Sequence, residues 1–416
     1  MGALSRTRNR KQIMSEYRRL AGIALVLGVA GTLAVCDATG PSDETPLDPE
    51  LVAEGRDIFR FDSFGNEAFW TDTAQMHAVI ESSVSPRVAL SVGLKVDADT
   101  LPQSVKDALA AGEVDLDDPA TTLTLLKLGA VVGLVGTVNT AAGKDTLARV
   151  GITCALCHST VDNSFAVGIG SRLDGWPNRD LDVGAIIALS PAIPEDQKAV
   201  FNSWGPGKYD ARFNLDGLNH PVVIPAAFGL RRVAKEIYTG DDTISYWNSY
   251  VAVMQMHGKG TFIDPRLGIE IVNTPDLVTP RLPALREYQH SLDAPPANVA
   301  SFDAAAATRG RSVFNDAGRC ADCHIPGSAF TDINEGVLHL PAEVGQDPAY
   351  ADRSITKRYR TTPLRGLWQP PLMQGPYFHD GSAETLEAVV DHYGEVLALN
   401  LTPQQRSDLI EYLKSL

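Results

Sequence analysis

Two stretches of this chain carry a combination of residues that few chemistries use together: Cys154-Ala-Leu-Cys157-His158 and Cys320-Ala-Asp-Cys323-His324. Two thiols at that spacing add across the vinyl groups of a porphyrin, and the histidine that follows lies under the iron as its proximal nitrogen ligand. Other readings of the same residues fare worse. Zinc ribbons hold their cysteine pairs about 15–20 residues apart, far closer than Cys157 and Cys320. A thioredoxin-like redox pair wants a βαβ context and has no use for a following histidine. Structural disulfides would leave both histidines unexplained. The spacing therefore predicts two covalently bound haem c groups, attached through Cys154, Cys157, Cys320 and Cys323, with His158 and His324 on the irons.

An internal repeat supplies the elements that must position them. Gly310-Arg-Ser-Val-Phe314 lies ten residues ahead of Cys320, and its match Gly55-Arg-Asp-Ile-Phe59 lies 99 residues ahead of Cys154. In small c-type cytochromes a helix of this kind leads into the haem-binding turn, so the first copy reads as one opened by an insertion at about 63–150. That insertion contains Phe69-Trp70, Met76-His77 and a stretch expected to be helical, Ala120 to Val138. Beyond the motifs, Ile224-Pro225-Ala-Ala-Phe-Gly-Leu230 mirrors Thr362-Pro363-Leu-Arg-Gly-Leu-Trp368, and helical stretches follow at Thr243–Met256 and Thr385–Tyr393. The chain closes on an amphipathic helix with Thr402 as N-cap, Pro403 at its first position and Leu409, Ile410, Leu413 and Leu416 on one face. The predicted fold is mainly α: two tandem cytochrome c-like haem domains, 51–292 and 300–416, the first with a large helical insertion, joined near Pro295-Pro296.

The first 36 residues carry six basic side chains and one acidic one, and end in an uncharged apolar run, Leu20 to Val35, closed by Cys36. That is the layout of an export signal. Leu33-Ala-Val-Cys36 resembles a lipoprotein box, followed by a polar linker over 37–50, so Cys36 is either a lipid anchor or a discarded signal residue. Both outcomes place the mature protein in the periplasm. The net charge of −15 argues against nucleic acid and anionic membranes. It suits a basic electron donor or plain solvation equally.

A family is visible at this point. Arg360-Thr-Thr-Pro-Leu-Arg-Gly-Leu-Trp368, Gly375-Pro-Tyr-Phe-His-Asp-Gly-Ser382, Leu386-Glu-Ala-Val-Val-Asp-His-Tyr393 and Cys323-His-Ile-Pro-Gly-Ser-Ala-Phe-Thr-Asp332 resemble the C-terminal domain of the bacterial dihaem cytochrome c peroxidases. The related dihaem enzyme of methylamine utilisation belongs to the same group. The resemblance covers 301–416 well, 150–290 in outline and 55–150 hardly at all. It implies that one haem meets hydrogen peroxide while the other passes electrons inward, and it leaves an interdomain calcium open. Peroxidases of this group carry Met where this chain has Tyr393, while the methylamine-utilisation enzyme carries Tyr. Tyr393 is therefore a candidate sixth ligand of the second iron. Its rival is Met373, introduced by a four-residue expansion between Trp368 and Pro376.

For the first iron the register equivalent is His257, like Tyr393 followed by glycine, as a ligand, a distal acid/base or a helix cap. The peroxidases' distal histidine has no counterpart, since 159–180 contains none. Trp176 is either an electron relay between the haems or a packing residue, and His379 reads as a partner for a propionate or the backbone. The expected function is a peroxidase-like oxidoreductase in which the second haem feeds the first. The alternative is a purely electron-transferring cytochrome, and oxygenase chemistry on an apolar substrate stands third.

Overall fold

The computed structural model describes residues 46–368 and 376–416. The export segment, Cys36 and Met373 lie outside the described residues.

Each half is framed by a pair of crossing helices. Pro49–Phe61 starts at Asp48, whose carboxylate accepts from the Glu50 and Leu51 amides, with proline at the first position. Its buried Gly55 and Phe59 face the helix Leu282–Ser291. A Cβ on Gly55 would lie 1.9 Å from the carbonyl oxygen of Ala284, so only glycine lets the two backbones approach this closely. One turn on, Phe59 meets Tyr288 edge to face at 5.5 Å.

The second half repeats the device. Ala304–Asn315 crosses Pro403–Lys414, a Cβ on Gly310 would lie 1.9 Å from the Asp408 carbonyl oxygen, and Phe314 meets Tyr412 at 5.2 Å. Thr402 and Gln405 close the last helix with a reciprocal capping box. Leu409, Ile410 and Leu413 are buried on the face their spacing marked.

The insertion is less helical than its Ala/Leu content suggested. The stretch expected as one helix over Ala120–Val138 divides into a helix, Pro119–Lys127, and the first strand of a hairpin, Leu134–Ala141 paired with Lys144–Ile152. β-Branched Val135, Thr137, Val138 and Thr140 favour the strand. Ala142 and Gly143, at φ 52° and 78°, make the two-residue turn whose twist suits a hairpin. The hairpin is held onto the first haem motif. The Thr153 amide donates to the Gly133 carbonyl at 2.9 Å, and a Cβ on Gly133 (φ 80°) would lie 2.2 Å from the Leu156 Cα.

The two halves share contacts as well as a chain. Residues 47–416 cluster as one unit, and Val222 shares a core with Tyr350, Ala351 and Tyr359. The Val223 amide donates to the His379 carbonyl at 2.8 Å. Arg353, its side chain 4% exposed, pairs with Asp210 at 2.9 Å and Asp216 at 2.7 Å. Ion pairs this buried are costly to break singly, because removal of one partner strands the other charge.

Candidate haem sites and relatives

Both pentapeptides coil through about one turn. The His158 amide donates to the Cys154 carbonyl at 3.3 Å, and the His324 amide to the Cys320 carbonyl at 2.8 Å. That turn brings two sulfurs and an imidazole to one side. None of the four cysteines is in a disulfide. Burial pushes the thiols of Cys154, Cys157 and Cys320 up to about 12, well away from reactive thiolates. The His158 Nδ1 lies 3.2 Å from the Pro225 carbonyl oxygen, and the His324 Nδ1 lies 3.0 Å from that of Phe330. Each contact orients its ring and leaves Nε2 as the nitrogen available to iron. Burial lowers both histidines, His158 to about 4, so both are neutral imidazoles able to ligate a metal.

Each motif opens on its own cavity, of about 290 Å³ at Cys154, Cys157 and His158 and about 320 Å³ at Cys320, Cys323 and His324. The first is walled almost wholly by aliphatic and aromatic side chains, including Met76, Ile80, Leu94, Leu126, Ile224 and Met256. Pro225, Ala226, Leu230, Ile237, Tyr238 and Arg360 line both cavities, so a single layer of side chains separates them.

The residues present fit covalent porphyrins. Apolar walls suit the macrocycle, and the second cavity is lined by a cation, Arg179, whose Nε and Nη1 are buried and have no hydrogen bond among the described residues. The described side chains bring together one group of three metal-ligand types, Cys323, Asp332 and His339. That is not the oxygen set that calcium takes.

Tyr393 lines the second cavity, and its hydroxyl makes no hydrogen bond among the described residues. Burial, with the nearby Cys323 and Cys320 sulfurs, pushes its phenol up to about 12. It stands on the helix Leu386–Val396, eight residues beyond the N-cap Thr385. The flanking helix of the first cavity, Ile244–Tyr250, starts at the N-cap Thr243, and eight residues beyond that cap stands Val251. The lining agrees with this register: Leu386, Val389, Val390, Tyr393 and Leu397 line the second cavity, and Ile244, Trp247, Asn248, Val251 and Gln255 the first.

His257 is thus not the counterpart of Tyr393. It is exposed, lies outside the cavity wall and stacks on Phe69 at 3.6 Å. After Tyr250 the helix widens into a π turn over Val251–Gln255, and His257 at φ 61° reverses the chain. This places Met256 on the cavity wall and turns the imidazole away. The following glycine that suggested the register marks a helix end here and a helix interior at Gly394.

Two further expected residues are placed by their partners. Trp176 packs on Phe228 at 5.6 Å and lines neither cavity. His379 lines the second cavity but is held by the Tyr359 hydroxyl at 3.0 Å.

Sequence reasoning missed Glu236. It is 4% exposed and the one carboxylate on the first cavity's wall, its Oε2 3.1 Å from Arg360 and its Oε1 unpartnered. Burial pushes its carboxyl up to about 7, and the Arg360 cation offsets part of that rise. Its position in Lys235-Glu-Ile-Tyr238 gave no local signal.

A family model for cytochrome c matches residues 307–416. The methylamine utilization protein MauG of Methylorubrum extorquens is 32% identical over 127 residues, 26% of this chain and 34% of that protein. MauG of Methylophilus methylotrophus is 30% identical over 159 residues, 32% of this chain and 45% of that protein. The chain thus spans between a third and a half of the length of these curated relatives. Among solved structures, a MauG-like protein associated with microbial copper homeostasis aligns over 47% of this chain and 72% of its own, at 19% identity and a TM-score of 0.32. Residues 307–416 form a cytochrome c domain, with the covalent haem chemistry its Cys-x-x-Cys-His motif provides, and the chain is similar to the MauG proteins of the dihaem cytochrome c peroxidase-like family.

Proposed function

We propose that this chain is a periplasmic dihaem c-type cytochrome of two tandem cytochrome c-like halves. In it the second haem relays electrons to the first, where hydrogen peroxide is reduced. The observation that carries this reading is Val251. It stands where the second cavity has Tyr393, and an aliphatic side chain supplies no ligand. A haem held by Cys154, Cys157 and His158 would find no ligand in Val251 and would leave that side to an exogenous molecule, while the Tyr393 hydroxyl would be offered to a haem held by Cys320, Cys323 and His324. Haem, when bound, supplies the iron that exchanges electrons with peroxide.

Reducing one peroxide to two waters consumes two electrons and two protons. The electrons come from a donor protein, for which a chain of net charge −15 favours a basic partner. The protons pass through Glu236, which replaces His257 in this role. A carboxyl near neutrality both gives and takes a proton at working pH. Pro225, Tyr238 and Arg360 line both cavities, so two haems held there would have a single layer of side chains between them for relay. The basic, apolar leader supports export, and Cys36 would carry the lipid anchor.

Met76 and Met256 favour a second reading. Both line the first cavity, and a thioether from either would close that iron and leave an electron carrier. Electron paramagnetic resonance of the oxidised full chain separates the two. The peroxidase reading requires one high-spin and one low-spin haem. Val251→His should convert the high-spin signal to low-spin and abolish carbon monoxide binding. Two low-spin signals in the unaltered protein would decide for the carrier.

A further inference from the structure

Four arginines line the cavity at Cys320, Cys323 and His324: Arg179, Arg319, Arg360 and Arg365. Three have partners. Arg319 donates to Asp322 at 3.0 Å, Arg360 pairs with Glu236 at 3.1 Å, and Arg365 donates to the Gly229 carbonyl at 3.1 Å. Arg179 alone makes no hydrogen bond among the described residues, and its Nε and Nη1 are shut off from solvent. Among the described residues its charge is felt by the phenols of Tyr238 and Tyr377 and by the His158 imidazole, and burial lowers its pKa. A buried guanidinium in this condition is costly unless an anion meets it.

Arg179 belongs to the first half, and the first haem motif holds it in place. The Asn178 amide donates to the Cys157 carbonyl at 2.9 Å, and the Gly175 amide to the His158 carbonyl at 2.8 Å. The Asn178 side chain donates to the Gly93 carbonyl at 2.9 Å. From the other side Gly207 packs on the Arg179 backbone, where a Cβ would fall 2.6 Å from the Arg179 carbonyl oxygen. The segment that wraps the first motif thus delivers a cation into the second cavity.

We propose that Arg179 is the propionate-binding residue of the second haem, so that the first half completes a site whose covalent attachment lies wholly in the second. A guanidinium takes a carboxylate through charge-assisted N–H···O bonds, and Arg179, on the wall of this cavity, has no protein acceptor among the described residues to compete for them. The cation also sets the potential. Reduction adds an electron to the haem, and a fixed positive charge beside it favours that state. Because Arg179 hangs from Cys157, the potential of the second haem depends on the ordering of the first motif. The proposal rests on the dihaem reading above.

The test is a spectroelectrochemical titration of the full haem-loaded chain, its haem content checked by pyridine haemochrome. Arg179→Gln should leave two haems per chain and lower the midpoint of the second by at least tenfold in the reduction equilibrium, about 59 mV for one electron. The first midpoint should move less than the second, since Arg179 also lies within electrostatic reach of His158, and Arg179→Lys should recover most of the loss. No shift, equal shifts at both haems, or a lysine variant indistinguishable from glutamine would overturn the role of Arg179. Fewer than two haems in the unaltered protein would instead overturn the dihaem reading.

Discussion

A glycine at a close helix crossing, Gly310, and one on an open helix face, Gly394, make predictions of opposite sign from one kind of substitution. In Gly310→Ala the new methyl would stand 1.9 Å from the Asp408 carbonyl oxygen and 2.9 Å from the Tyr412 Cβ. Neither is the far end of a flexible side chain, so one helix must move. Ordinary contact begins near 3.4 Å, which demands a local separation of roughly 1.5 Å (3.4 less 1.9). A gap of about 1 Å already forfeits up to half of a packing contact. The pair that would open includes Phe314 against Tyr412 and carries Leu409 and Leu413 on the second cavity's wall. Overpacking of this kind costs about 1–3 kcal/mol or more, against about 1 kcal/mol gained by replacing glycine within a helix. The net expectation is a loss of up to about 2 kcal/mol.

Gly394 provides the contrast. It too lies within a helix, Leu386–Val396, with nothing within 4 Å of its missing Cβ. Gly394→Ala should therefore stabilise by up to about 1 kcal/mol. Chemical denaturation of the haem-loaded protein, followed by far-ultraviolet circular dichroism and Soret absorbance, measures both. If Gly310→Ala were as stable as the parent, or Gly394→Ala destabilised as much as it, the close-crossing argument would be refuted.

Other outcomes follow from the sites. Cys157→Ala and Cys323→Ala should each lose one covalent attachment at its own motif, read as a haem-stained polypeptide with altered mass. Tyr393→Phe removes the unbonded hydroxyl of the second cavity and should change the ligand spectrum of that haem alone; an unchanged spectrum would leave Tyr393 a packing residue. Glu236→Gln should cut peroxide turnover by about 10²–10⁴ and remove the pH–rate limb near neutrality, with both spin states kept. The same carboxyl affects stability with a definite sign. Its native pKa is raised to about 7 from 4.5, so the native state holds the proton longer than the unfolded chain. Stability should then fall as pH rises between those values, and Glu236→Gln should flatten that slope. A slope that rises, or that survives the substitution, would contradict the placement of Glu236.

Covalent attachment is a local matter, and the chain alone determined it: two cysteines and a histidine at fixed spacing specify their chemistry whatever surrounds them. Capping and periodicity are equally local, which is why the last helix, Pro403–Lys414, ran as its Thr402, Pro403 and leucine pattern said. Gly55 and Gly310 were legible as a repeat, though the reason only glycine fits appears once Ala284 and Asp408 are seen against them. Tertiary structure decided what faces each cavity. His257 and Tyr393 share a following glycine, yet a π turn after Tyr250 rotates the first chain by part of a turn. Val251 and Met256 consequently line the wall while His257 goes outside. The hairpin at 134–152 overrode an apolar composition that suggested helix, because its turn residues and cross-strand pairing dominate. Glu236 and Arg179 gave no signal in sequence. Glu236 acquires its character from burial beside Arg360 and Arg179 from its place on the wall of the cavity at Cys320, both more than a hundred residues away along the chain, and burial is a property of the whole fold.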